Sequence, residues 1–334
     1  MKAAVIRVTG SSDVLQIEEI DKPLIENDRQ ILIKMKAAGI NPIDTKLRKQ
    51  GSFSAEQMPV ILGCDGAGVV EEVGLAVTKF KVGDSVYFCN GGLGAKNTGC
   101  YAQYAVIPEQ RLAKKPESIS FTSAAAFPAA LITAWESLYD RGRLSANSKI
   151  LIHGGAGGVG HIAIQLAKLK GAQVATTVSN STKAKIAQDL GADRIIFYRD
   201  RDFVEDILDW TDGEGVDLVF DTVGHDLFFK SFAAVKIYGD IVTIVEPDIK
   251  VGDFKLARSR NLRIGFEVLV TPEVKNLVKA QKHQTFILEE SAKYIDQGKL
   301  KVYVSQAYSL SQANQAHELV ETGSVTGKVV LNID

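Results

Sequence analysis

Cysteine, methionine, tryptophan and proline are scarce in this chain of 334 residues, with 3, 3, 2 and 8 copies. Cys64, Cys89 and Cys100 are odd in number and widely spaced, which suits reduced cytosolic thiols and excludes a disulfide framework. An excess of either charge is also missing, with Lys+Arg at 39 against Asp+Glu at 40. Without a basic block there is no electrostatic footprint for nucleic acid or an anionic membrane. Long apolar runs are absent too. The longest, 124–135, is interrupted by Pro128 and Thr133 and falls well short of the roughly 20 residues that cross a bilayer. The start, Met1 to Arg7, breaks its apolar run at Arg7 and offers no small-residue cleavage site after a hydrophobic region, so no secretory signal is expected. A cytoplasmic location is expected, with small molecules or further copies of the chain as partners.

What is present is 46% hydrophobic side chains and a length that, at roughly 150 residues per domain, suggests two domains. The two halves differ in texture. Up to about residue 120, apolar and polar residues alternate and glycines break the runs, as in 31–36 and at Gly63, Gly66 and Gly68. That pattern predicts short strands, turns and a small barrel. After Ser123 the spacing predicts a helix over 124–140, then buried apolar runs at 149–153, 173–178, 194–198, 216–220, 240–245 and 262–269, the first five separated by helical segments. Such alternation builds a doubly wound parallel sheet, because parallel neighbours need crossover connections. A helix around 287–295 and a last strand at 328–333 follow. The tail is expected to return to the first domain, giving boundaries of 1–123 with 263–334 for one domain and 124–262 for the other.

The strongest chemical signal is the segment H-G-G-A-G-G-V-G at 153–160. It places Gly155, Gly157 and Gly160 in G-x-G-x-x-G spacing directly after a predicted strand and before a predicted helix. In that setting the first glycine makes the tight turn, the second admits a pyrophosphate to the backbone, and the third lets helix and strand pack closely. An NAD site places an acid about 20 residues on, where it binds the ribose 2′-hydroxyl. Here 176–183 reads T-T-V-S-N-S-T-K, and the first carboxylate is Asp189. Ser179 and Lys183 suit a 2′-phosphate instead, so NADP(H) is expected. The competing reading of Lys183 is a solvated lysine in the first turn of the next helix.

Several ordered motifs carry a resemblance over nearly the whole chain. They are A-G-I-N-P-I-D at 38–44 with Arg48 and Gly51, P-V-I-L-G-C-D-G-A-G-V-V at 59–70 and V-G-D-S-V at 82–86. A-L-I-T-A at 130–134, the glycine turn, D-T-V-G at 221–224 and G-K-V-V-L at 327–331 complete the set. The chain resembles the medium-chain dehydrogenase/reductase superfamily, and within it the zinc-free quinone oxidoreductases related to zeta-crystallin and the alkenal reductases. The resemblance implies an α/β protein: a Rossmann doubly wound sheet plus an N-terminal chaperonin-10-like (GroES-like) β-barrel completed by the C-terminal tail, with the active site in the cleft. It also implies a homodimer joined through an edge strand near 262–270. Matched position by position, it implies that Thr133 approaches the nicotinamide ribose or phosphate, that Gly158 and Val159 supply amides to the pyrophosphate, and that Tyr198 packs near the 2′-phosphate. Thr222 and Val223 would lie at the carboxyl edge of the sheet, Val245 would offer backbone to the carboxamide, and Lys328 would reach the cofactor from the tail. Plain sheet packing is the alternative for Tyr198.

The superfamily also contains zinc alcohol dehydrogenases. In those enzymes a cysteine stands where this chain has Asn41, and a His-Glu pair stands where it has Cys64 and Asp65. A catalytic zinc needs three protein ligands, the first is lost here, and no cysteines are close in sequence. No bound metal is expected, and Cys64 is read as an inert buried thiol. Without a Lewis acid, alcohol oxidation is disfavoured, whereas hydride addition to a quinone or enone spreads charge onto an oxygen that hydrogen-bond donors stabilise. Asn41 is the first candidate donor, with a turn role before Pro42 as the alternative. Asp44 and Lys46 follow on the same segment as catalytic candidates. Asp44 and Arg48 have i, i+4 spacing, which equally suits a surface ion pair. Relatives with a tyrosine proton donor carry it where this chain has Lys46, so the acid is not identified. The acceptor depends on loops 89–99 and 245–253. The alternatives are an NADPH-binding protein with little turnover and a zinc-dependent alcohol dehydrogenase.

Overall fold

The computed structural model describes residues 1–51, 58–93 and 98–334. Part of the 89–99 loop lies outside them. Contacts divide the chain into two compact units, Met1–Ala129 with Val270–Asp334, and Ala130–Leu269.

The first unit begins with β1 (Lys2–Ile6), β2 (Gln16–Glu19), β3 (Gln30–Ile40) and β4 (Val60–Ile61). It continues with β5 (Asp65–Val73), β6 (Ser85–Cys89), β7 (Tyr104–Pro108) and β8 (Leu112–Lys114). The second unit holds β9 (Lys149–Ile152), β10 (Gln173–Val178), β11 (Arg194–Phe197), β12 (Val216–Asp221), β13 (Val235–Thr243) and β14 (Arg263–Phe266). The tail adds β15 (Val304–Ser309) and β16 (Lys328–Asn332).

In the first unit, β16 pairs antiparallel with β3, setting Val330 opposite Gly39, so the end of the chain completes the sheet begun near its start. The sheet runs β15-β16-β3-β5-β6-β8 with β7 also on β3, beside a three-stranded sheet β2-β1-β4. One apolar core joins the two, from Ala3 and Ile33 through Phe88 and Tyr101 to Leu331. The expected return of the tail is therefore realised by strand pairing, including β15, a strand that the sequence pattern missed.

The second unit is a parallel sheet in the order β11-β10-β9-β12-β13-β14. Numbered within the unit this is 3-2-1-4-5-6, the doubly wound order whose switch point lies between the first and fourth strands. Its central strands are buried because crossover helices such as Gly160–Leu169, itself buried over its first eight residues, cover them. Two expectations are corrected. Strand Arg263–Phe266 pairs with β13 and falls in the second unit, so a cut at residue 262 comes seven residues too early. The helix expected over 124–140 is broken into Phe121–Ala125, Pro128–Trp135 and a π-helical turn Glu136–Arg141, because Pro128 lacks an amide hydrogen and disfavours helical backbone at the residue before it.

Candidate active site

In the second unit, β9 runs into the glycine turn, where Gly154 has φ +69°. A Cβ on Gly155 would overlap the Thr176 hydroxyl on β10, and one on Gly160 would overlap the Gly154 carbonyl. Packing alone demands both glycines. Gly157 is different: a Cβ there would meet only the Gly154 oxygen, at 3.1 Å, so its outer side is open. Among the described residues no backbone carbonyl accepts from the amides of Gly158 or Val159, which lead into the helix Gly160–Leu169. An open side at the second glycine and free amides at a helix start fit a dinucleotide pyrophosphate.

The neighbouring strand ends close around this turn. A Cβ on Gly154 would stand 3.0 Å from Thr222 Oγ1 and 3.7 Å from Val223 Cγ2, and one on Gly224 would stand 2.5 Å from Val245 Cγ1. The turn, Thr222, Val223 and Val245 thus gather at one carboxyl edge of the sheet. Asp221, fully buried, holds that edge: its Oδ1 accepts from Val223 N and Gly224 N at 2.9 Å, and its Oδ2 accepts from Thr243 Oγ1 at 2.9 Å. Below the turn the His153 ring is sealed, with Nδ1 3.2 Å from Thr177 Oγ1 and Nε2 3.0 Å from Ser231 Oγ. Burial lowers its pKa to about 4. Beside this edge lies a cleft of about 470 Å³, lined by Val245, Ile249, Phe254, Phe266 and Val268 among others.

At the end of β10, Ser179 and Lys183 are half-buried and Asn180 Oδ1 accepts from Lys183 N at 2.9 Å. Tyr198, at 50% exposure, lies just beyond β11. The Arg199 guanidinium carbon stands 6.0 Å from the Tyr198 ring centroid, adding a cation that sequence reasoning missed because Arg199 sits in no periodic pattern. Thr133 is buried in the helix Pro128–Trp135.

In the first unit, Asn41 begins the helix Pro42–Gln50 and is 7% exposed. Its Nδ2 donates to Asp65 Oδ2 at 2.9 Å and lies 3.6 Å from Cys64 Sγ, while its Oδ1 accepts from Lys328 Nζ. Asn41, expected as a donor near the nicotinamide or the acceptor, has its amide paired within the protein. Lys328, 4% exposed, also reaches Ile40 O at 3.3 Å and Asp65 Oδ2 at 3.7 Å. Asp44 is fully buried and accepts from Asn41 N at 2.8 Å and Tyr101 Oη at 3.0 Å. Burial outweighs those donors and raises its carboxyl to about 7. Arg48 is also fully buried and pairs with Glu321, so the surface pair Asp44–Arg48 does not form. Lys46 is exposed and stands apart from the buried cluster of Asn41, Asp44 and Lys328. Tyr101 was missed, since only folding brings residue 101 to residue 44.

Linear spacing also missed a cluster of ligand-type atoms. Because β5 and β6 set Asp65 opposite Cys89, Cys64 Sγ, Cys89 Sγ and a carboxylate oxygen of Asp65 lie within 4.8 Å of one another. Yet Asp65 Oδ1 accepts from Ala129 N at 2.8 Å and Oδ2 from Asn41. Both cysteines are buried free thiols, and Cys64 is pushed well up by its contact with Cys89 and by burial. The carboxylate is thus committed to N–H donors, and the nearby positive charge is the Lys328 ammonium. That arrangement is a poor fit to a metal cation.

Comparison with known proteins agrees with this architecture. Residues 27–117 match the alcohol dehydrogenase GroES-like domain and residues 190–331 the zinc-binding dehydrogenase family. The chain is 36% identical over 343 residues to the chloroplastic NADPH-dependent alkenal/one oxidoreductase of Arabidopsis thaliana, covering 99% of this chain and 79% of that one. It is similar to the Escherichia coli quinone oxidoreductase complexed with NADPH, with a TM-score of 0.85 and 30% identity over 99% of this chain and 100% of the other. An NAD-dependent alcohol dehydrogenase structure gives a TM-score of 0.90 and 30% identity, covering 100% of both chains.

Proposed function

The chain belongs to the medium-chain dehydrogenase/reductase superfamily, in the group of quinone oxidoreductases and alkenal/one reductases, and from that premise we propose that it is an NADPH-dependent, zinc-independent reductase of quinones or α,β-unsaturated carbonyls. The observation that carries the reading is the glycine turn, where a Cβ on Gly157 would meet nothing but the Gly154 oxygen, followed by a β10 end that offers Ser179 and Lys183 with no carboxylate before Asp189, and by Tyr198 and Arg199 just after β11. Relatives named for NADPH and for alkenal or quinone substrates support it.

When bound, NADPH supplies a hydride to the conjugated acceptor. The amides of Gly158 and Val159 hold the pyrophosphate, and Ser179, Lys183 and Arg199 hold the 2′-phosphate beside Tyr198. Thr133, Thr222, Val223 and Val245 position the nicotinamide half. The apolar cleft of Ile249, Phe254 and Phe266 suits a flat conjugated acceptor better than a charged one. Within the first unit, Asn41 and Lys328 fix each other. Zinc independence is supported by the commitment of Asp65 to Asn41 and Ala129. A homodimer through β14 is supported by the sheet-edge position of that strand and by exposed Phe266 and Val268. Buried, unpaired cysteines suit the reducing cytoplasm.

Fluorescence titration is expected to give NADPH at least several-fold tighter binding than NADH; equal affinities overturn the cofactor assignment. An NADPH-oxidation screen is expected to show turnover with 1,2-naphthoquinone or small enones. Tight NADPH binding without turnover across quinones, enals and enones favours a binding protein, and NADPH formation from alcohols alone favours an alcohol dehydrogenase. Elemental analysis of tag-free protein is expected to find far less than one zinc per chain, and stoichiometric zinc sinks that part of the proposal.

A further inference from the structure

Six buried side-chain polar atoms lack a hydrogen-bond partner among the described residues, and four of them belong to just three residues: Asp44 Oδ1, Arg48 Nε and Nη1, and His317 Nδ1. These residues form one group. Tyr101 joins two of them, its hydroxyl donating to Asp44 Oδ2 at 3.0 Å and lying 3.3 Å from His317 Nε2. Arg48, one helical turn beyond Asp44, pairs with Glu321 on His317's own helix, Ala313–Glu321. Asp44, Arg48, Tyr101 and His317 are all 0% exposed. Native interiors rarely leave such atoms unpaired, and a concentration of them in one place marks a missing occupant.

The chemistry of the four atoms identifies that occupant. The Tyr101 hydroxyl proton is committed to Asp44, so Tyr101 Oη accepts from His317 Nε2–H, and His317 Nδ1 is left as a lone-pair acceptor. Burial, aided by the charge of Arg48, keeps this imidazole neutral by lowering its pKa to about 3. The open set is then two acceptors, Asp44 Oδ1 and His317 Nδ1, and two donors on Arg48. A metal cation is opposed by Arg48, and an anion is opposed by Asp44 and finds no donor at His317. Water alone both donates and accepts.

We propose that Asp44, Arg48 and His317 enclose a buried hydration site, and that its water completes a proton path from the partly exposed Glu321 edge through His317 and Tyr101 to the Asp44 carboxyl behind Asn41. The path's use in turnover rests on the reductase reading. Reduction of a conjugated acceptor forms one C–H bond from the hydride and one C–H or O–H bond from a proton. Asp44 gives up that proton through water rather than by contact and regains one from solvent along the path, so each acceptor reduced takes up one proton net. Asp44 is here a proton-holding residue that does not touch the acceptor. Its carboxyl is faced by Tyr101, Asp65, Lys328, Cys64 and Cys100, and burial sets it near 7, where both protonation states are populated at neutral pH.

A high-resolution crystal structure is expected to show ordered water within hydrogen-bond distance of Asp44 Oδ1 and His317 Nδ1; a dry site or an ion there overturns the hydration site. In infrared spectra of the wild-type protein without cofactor, a carboxylic-acid band absent from Asp44→Asn is expected to disappear as pH rises through about 7. Its exchange in D₂O is expected to slow in Tyr101→Phe. Unchanged exchange overturns the path, whether or not the protein reduces any acceptor. Where wild-type turnover is found, Tyr101→Phe is expected to lower kcat at least tenfold and flatten its pH profile near 7, with NADPH affinity unchanged. A variant with wild-type kcat and pH profile removes the path from catalysis. A wild-type protein inactive on every acceptor counts against the reductase reading alone, because the crystal and infrared results still decide the water and the path.

Discussion

Alanine at Gly157 is expected to weaken NADPH binding about a hundredfold, on the order of 3 kcal/mol, with the unfolding midpoint unchanged. Alanine at Gly155 is expected to destabilise the protein itself by about 3 kcal/mol or more, the upper range for overpacking a filled interior. All three motif glycines read alike in sequence, but their surroundings differ. A methyl group on Gly155 overlaps the Thr176 hydroxyl, which donates to Ile152 O at 2.7 Å between adjacent strands, so the clash also breaks a buried hydrogen bond. A methyl group on Gly157 meets only the Gly154 oxygen at 3.1 Å and otherwise fills the space reserved for pyrophosphate. Urea unfolding and NADPH fluorescence titration on the two variants separate the effects. Gly157→Ala with wild-type affinity contradicts the pyrophosphate assignment, and Gly155→Ala with wild-type stability contradicts the packing argument.

Two buried histidines are expected to make the protein sensitive to acid. His153 and His317 have pKa values lowered from 6.5 to about 4 and about 3, because burial penalises the imidazolium. A histidine lowered on folding contributes stability that is complete above the unfolded value and is lost as pH falls toward the folded one. At about 1.4 kcal/mol per pH unit between the two values, His153 contributes on the order of 3 kcal/mol and His317 on the order of 5 kcal/mol. Asp44 acts in the opposite sense: its raised carboxyl contributes stability at acid pH that is lost as pH rises through about 7. The whole-protein profile is therefore a partial cancellation, and the histidine contribution is read from variants. In urea unfolding between pH 7 and pH 4, the deficit of His153→Gln or His317→Gln relative to wild type is expected to shrink as pH falls. Parallel profiles contradict the neutral buried state.

Secondary structure and the cofactor turn were legible because local patterns determine them. Alternation in 31–36 and the apolar runs at 149–153 and 173–178 correspond to β3, β9 and β10, since burial on one or both faces leaves a period in the sequence. G-x-G-x-x-G after a strand announces its own geometry. Short edge elements were harder: β15 carries exposed residues at four of its six positions, so it has no apolar signature. The broken helix after Phe121 was misread because an apolar run conceals a proline's effect on backbone direction. Asp221 stood in a recognised motif, yet its role in clamping two amides and a threonine depends on where β13 ends.

By itself the sequence determined the alternation of strands and helices, the phosphate turn, the absence of an acid at the end of β10 and the absence of the first zinc ligand. Each is a property of neighbouring residues or of one residue's chemical type. Only the tertiary structure decided what the polar residues of the first unit do. Pairing of β16 with β3 carries Lys328 across 287 residues to Asn41, pairing of β5 with β6 brings Cys64 to Cys89, Tyr101 links His317 to Asp44, and Arg48 pairs with Glu321. Hydrogen bonds and charge pairs act over a few ångströms, whereas these partners are tens to hundreds of residues apart, so no local pattern in the chain records them.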